Sequence, residues 1–189
     1  MNHYSKTRIM VECALLLALG TILAQVKIYR MPSGGSVTLL SMLPFILISF
    51  RHGIKWGLLS GFANSALQMV LGGVYPPPAG TLAALAGTVL LDYVLAYAVL
   101  GTACWFAGPF KNKVLGVVAG TFSVCLIRFC CAVLSGFIIW GSLADGLWAA
   151  FIYSLSYNAA YMVPEVILTI LGVFILAKTN YKAIFECIS

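Results

Sequence analysis

The chain has 189 residues, 62% of them hydrophobic and only 8% charged, with eleven Lys and Arg against five Asp and Glu and a mean hydropathy of +1.03. A soluble domain carries roughly 45–50% apolar and about 25% charged residues, so these charges cannot coat a water-facing globule. The composition excludes a soluble enzyme, a disordered chain and a nucleic-acid-binding domain; it leaves an integral membrane protein small enough to be one domain, residues 1–189.

Six apolar runs follow in chain order. The first extends from about Ile9 to Val26 and stops before Lys27 and Arg30. No small-residue cleavage site precedes Lys27, so it reads as a retained span rather than a cleavable signal. The second, about Ser36 to Phe50, is closed by Arg51, His52 and Lys55, and the third, about Trp56 to Val74, by Tyr75-Pro76-Pro77-Pro78. The fourth covers about Thr81 to Phe110, the fifth Val114 to Trp140, and the sixth Leu147 to Ala177, ended by Lys178. A spanning helix needs roughly 20 residues, and in lipid its backbone groups must be satisfied within the segment. The pattern predicts an all-α bundle of six transmembrane helices, the second short, with no alternating strands.

The loops set the sidedness. Lys6, Arg8, Arg51, Lys55, Lys111, Lys113, Lys178 and Lys182 fall on one side, and only Lys27 and Arg30 on the other. The positive-inside rule therefore puts both termini in the cytoplasm, and puts the 27–35 connection, the proline-rich turn and the segment around Asp145 outside. The cysteines, Cys13, Cys104, Cys125, Cys130, Cys131 and Cys187, lack C-x-x-C spacing and read as small core residues. Small residues four apart, Gly57/Gly61 and Gly116/Gly120, suit close helix packing; Ala14/Ala18 could equally face another subunit.

Four charges fall inside spans: Glu12, Asp92, Arg128 and Glu165. Each is costly there and needs a partner or a function. At about 1.5 Å per residue, Asp92 lies roughly 16 Å below the outer end of helix four and Arg128 roughly 22 Å up helix five. Trp140, Tyr153, Tyr157 and Asn158 share their outer half, whereas Glu12 and Glu165 read as structural or as subunit contacts nearer the cytoplasm. Asp92 and Arg128 either pair structurally or belong to an outward-facing polar pocket. An acid among aromatic rings suits an organic cation; Asn and Tyr can read a heterocycle's polar edge, and an arginine argues for an added acceptor. No Walker A, H-E-x-x-H or G-x-S-x-G motif occurs. A binding or transport role without its own energy source, catalytic residues, metal or cofactor fits best.

Met31-Pro32-Ser33-Gly34-Gly35-Ser36-Val37-Thr38-Leu39, running through Ser41-Met42-Leu43-Pro44 to Phe50-Arg51-His52-Gly53, resembles the thiamine-specific S components of energy-coupling-factor (ECF) transporters. Leu91-Asp92-Tyr93, Arg128-Phe129, Leu134-Ser135-Gly136, Tyr153-Ser154-Leu155-Ser156-Tyr157-Asn158 and Pro164-Glu165 are similar to that family in the same order. The resemblance implies a bacterial cell-membrane protein that captures thiamine, a small cationic heterocycle, from outside. It would then dock on a transmembrane T subunit carrying two ATPase subunits. It places the acid near the thiazolium at Asp92, followed by Tyr93, the stacking ring at Trp140, the base at Arg128, the close approach at Gly136, and polar contacts at Tyr153, Tyr157 and Asn158. It places the T-subunit stripe at Ala14 and Ala18 and an extracellular lid at residues 27–35. Two departures border the pocket. Ala132 stands where a histidine is common, and the stretch from Tyr75 to Asp92 is longer. A thiamine precursor or another small vitamin is the alternative within the class; a structural membrane protein with a buried ion pair is the alternative outside it.

Overall fold

A computed structural model describes residues 5–32, 34–141 and 146–185; Ser33, Asp145, Cys187 and the side chain of Lys182 lie outside the described residues. Helix α1 spans Lys6–Gln25, with Ser5 capping its first turn by accepting from the Arg8 N–H. A short hairpin follows, β1 Lys27–Arg30 against β2 Ser36–Thr38. Then come α2 Leu43–His52 and α3 Ile54–Gly72. Helix α4 is the column Leu82–Ala107, α5 is Lys113–Ile138 and α6 is Leu147–Ile184.

The hairpin corrects the strand-free reading. Its strands are antiparallel, with Tyr29 opposite Val37, Arg30 opposite Ser36 and an irregularity between Lys27 and Tyr29. The start of the second apolar run is thus extended rather than helical. Helix begins only at Leu43, where Pro44 sits in the first turn and costs no hydrogen bond. The ten residues of α2 reach about 15 Å, half a typical hydrocarbon core. They are nonetheless the centre of the protein. Phe45, Ile46 and Phe50 are buried in one cluster with Leu100 and Ala103 of α4, Val117 and Val124 of α5, and Val173 of α6. Among the described residues, four helices, α1, α4, α5 and α6, are long and apolar enough to cross a membrane.

Glycines set the helix spacing, as the four-residue pairs predict. A Cβ at Gly57 would collide with the Gly101 backbone, and one at Gly61 would lie 2.6 Å from the Tyr97 carbonyl. The second pair does the same for α4 and α5, where a Cβ at Gly116 would lie 2.9 Å from the Ala107 carbonyl and one at Gly120 2.5 Å from that of Ala103. Helix α4 is not uniform. A π-helical stretch, Val89–Leu95, is followed by a 3-10 turn, Val99–Thr102. Ser49 of α2 accepts from the Cys104 N–H just beyond, at 3.1 Å.

Glu12, read from the sequence as structural or as a subunit contact, bonds within the chain. It accepts from Arg8 Nε at 3.0 Å and Arg51 Nε at 2.7 Å, and lies 3.1 Å from His52 Nε2, tying α1 to the end of α2. Glu12→Ala removes the shared acceptor of two guanidinium groups. We expect a loss of about 1–3 kcal/mol, the scale of a hydrogen bond to a charged group. A thermal melt of the detergent-solubilised protein checks this; an unchanged midpoint would contradict it.

Candidate functional site

One cavity of about 270 Å³ opens between the hairpin and helices α4, α5 and α6. Its size suits a small molecule. Asp92, Tyr93, Arg128, Gly136, Trp140, Tyr153, Tyr157 and Asn158 all line it, and so does Ala132. Ala14 and Ala18 do not; both are exposed on α1.

The π-helical stretch carries Asp92 and Tyr93. Such wide turns rotate side chains off the ordinary helical register and recur at functional sites. Ser65 of α3 braces it by donating to the Tyr93 carbonyl at 2.9 Å, and the Tyr93 hydroxyl donates to the Gly73 carbonyl at 3.0 Å. Tyr93 is thereby a fixed wall. Ser135 of α5 donates to Asp92 Oδ2 at 2.6 Å. Among the described residues no base lies within ion-pair distance of Asp92. The structural pairing of Asp92 with Arg128, one of the two sequence readings, is therefore not formed. The Arg128 guanidinium instead lies over the Tyr97 ring, 4.3 Å from its centroid, an arrangement in which the ring face attracts the cation. Its Nη1 is buried and has no hydrogen-bond partner among the described residues. A buried donor left open on a cavity wall is a place for an acceptor.

The α6 wall is a tyrosine ladder. Tyr153 stacks on Tyr157 at 5.8 Å, and Tyr157 meets Tyr161 edge-on at 6.2 Å. Tyr153 is 54% exposed and forms the rim. The three tyrosines are spaced by four, which puts them on one face of the helix. Asn158 finds the interhelical partner its burial demands. Its amide donates to the Ala132 carbonyl at 3.3 Å and the Ser154 carbonyl at 2.8 Å, while its oxygen accepts from the Tyr161 hydroxyl at 2.7 Å. Both amide hydrogens are thus committed to the seam between α5 and α6, leaving only spare acceptor capacity for a ligand. Gly136 is a close approach of the same seam, since a Cβ there would strike Ser154 Oγ. Trp140 follows the end of α5 and faces the cavity.

Sequence reasoning missed several wall residues. Glu165, read as structural and nearer the cytoplasm, lines the cavity and accepts from Thr38 and Ser41. Ser135 holds Asp92 and Tyr97 holds Arg128, yet only the Leu134-Ser135-Gly136 motif hinted at the first. Tyr75, at the start of the 75–92 segment, places its ring 3.0 Å from where a Cβ on Gly34 would sit. With φ at 106°, Gly34 occupies backbone space that other residues avoid.

A family model described as "Thiamine transporter protein (Thia_YuaJ)" matches residues 10–185. The chain is 33% identical over 190 aligned positions to the thiamine transporter ThiT of Bacillus subtilis (strain 168), covering 95% of each. Among solved structures, ThiT from Listeria monocytogenes superposes with a TM-score of 0.72 at 22% identity, covering 94% of this chain and 97% of that one. The S component of a bacterial ECF transporter does so with a TM-score of 0.65 at 13% identity, covering 95% and 98%. Those two likenesses concern the fold. The match along nearly the whole length, joined to helices apolar enough to span lipid, makes this chain a multi-pass membrane protein of the thiamine transporter family.

Proposed function

We propose that this chain is the substrate-binding S component of an ECF-type importer, one membrane domain of six spanning helices with both termini in the cytoplasm. It captures thiamine at the extracellular face and delivers it to a transmembrane T subunit carrying two ATPase subunits, without catalysing a reaction itself. The observation that carries this reading is the acid in the cavity. Asp92 accepts from Ser135 and has no basic partner among the described residues, so a cationic ring can neutralise it. Trp140 supplies a face for stacking, Tyr153 and Tyr157 the polar rim, Asn158 a buried acceptor, and Gly136 the tight seam that shapes the wall. Arg128 takes an acceptor on the ligand through its open Nη1. Capture orders the lid at residues 27–35, excluding water and strengthening the carboxylate–cation contact.

A narrower alternative is favoured by Ala132. Where a histidine ring is absent, the cavity keeps room beside Asn158, which a thiamine precursor could fill. Fluorescence separates these readings, because Trp140 is the one tryptophan of four that lines the cavity. Thiamine is expected to give saturable quenching that disappears in Trp140→Phe. Tighter binding of the pyrimidine half alone would favour the precursor. No response to thiamine or to either half, with the protein still folded, would return the chain to a structural role.

A further inference from the structure

The hairpin that roofs the cavity is fastened to α6 by one buried carboxylate. Thr38, the last residue of β2, and Ser41 both donate to Glu165 Oε1, Ser41 at 2.9 Å, across 127 and 124 residues of sequence. The two hydroxyls are also 2.6 Å apart. Thr38, Ser41 and Glu165 are 6%, 8% and 3% exposed. An ionised carboxylate only accepts, so both hydroxyl protons serve this cluster.

The turn that brings the two hydroxyls to one oxygen is strained. Leu40, between them, has φ at 59°, the left-handed region that a non-glycine residue seldom occupies. Such a conformation persists only where its surroundings enforce it, and it clusters at clamps and switches. Apolar contacts flank the cluster. A Cβ on Gly35 would lie 2.6 Å from the Tyr161 ring, and one on Gly172 would lie 3.2 Å from a Leu40 methyl. The chain from the hairpin to α2 is thus laid along α6, with Glu165 as its polar attachment. Glu165 also lines the cavity, so the group that holds the roof is a group the ligand space reaches.

We infer that Glu165 is a positioning residue for ligand retention: its carboxylate latches the Thr38–Ser41 turn and keeps the hairpin closed over the cavity. The inference takes the ligand's identity from the proposed function, but the latch is a property of the empty protein and is tested there first. In ligand-free purified protein, hydrogen exchange of the hairpin amides is expected to rise about tenfold or more in Glu165→Gln and in Thr38→Val, the scale of losing a hydrogen bond to a charged group. The double variant should exchange no faster than the faster single one, because both changes cut the same link. Asp92→Asn should leave hairpin exchange unchanged, since Asp92 is held by Ser135 of α5. In stopped-flow, thiamine should leave Glu165→Gln about tenfold faster or more, with association within about twofold of the parent. Unchanged hairpin exchange in folded Thr38→Val and Glu165→Gln, or fully additive effects, would overturn the latch. Should Glu165→Gln fail to fold, Thr38→Val and Ser41→Ala carry the same decision. A parent protein that binds no thiamine sinks the proposed ligand instead, and the exchange data still decide the latch.

Discussion

Asp92→Asn is expected to cut thiamine affinity by about 2–5 kcal/mol, the usual cost of truncating one partner of a desolvated, hydrogen-bonded charge pair. That is roughly 30-fold to several-thousand-fold in Kd. The substitution keeps the shape of the side chain and an oxygen that can still accept from Ser135, so the wall remains while the charge goes. The loss should be specific to cationic ligands. A neutral isostere of thiamine should bind the parent weakly and lose little more in Asp92→Asn. Equilibrium titration of both ligands against both proteins closes a double-mutant cycle. If the variant binds thiamine within about twofold of the parent, the carboxylate is not the cation's partner. The size of the effect follows from the surroundings. Among the described residues no base lies within ion-pair distance, so on the proposed reading the ligand supplies the opposing charge.

Replacing Ala14 and Ala18 together with Trp is expected to reduce uptake by the assembled importer to below about one-tenth, while thiamine binding by the isolated chain stays within about twofold. Both alanines are exposed on α1, whose buried residues are Cys13 and Gly20, and neither touches the cavity. Lipid gives helices no hydrophobic reason to associate, so a partner helix is held by close backbone packing that bulky side chains prevent. Uptake in cells or proteoliposomes, measured beside equilibrium binding, separates coupling from capture. Equal loss of both would show that the stripe supports the fold rather than the partner.

Most of the architecture was legible in the order of residues, because a membrane imposes length. The runs from Ile9, Thr81, Val114 and Leu147 became α1, α4, α5 and α6, which among the described residues are the four helices both long and apolar enough to cross. Asp92 and Arg128 announced themselves because a charge in hydrocarbon has to be accounted for, and the aromatic and polar residues at matching depth do line one cavity with them. Tertiary structure decided which groups meet. Lys27–Arg30 and Ser36–Thr38 are too short to declare themselves as strands, and their pairing exists only as a contact between them. Depth counting could place Asp92 and Arg128 near one another but not orient them. Helix rotation gave Asp92 to Ser135 and Arg128 to the face of Tyr97. Glu165 was the instructive miss. Its position along α6 is local information, whereas its membership of the cavity depends on Thr38 and Ser41 arriving from the far end of the chain. Spacing along a helix fixes the depth of a side chain, but the rotation and crossing of helices are set by distant packing, such as that at Gly57 and Gly101, and only the folded chain expresses it.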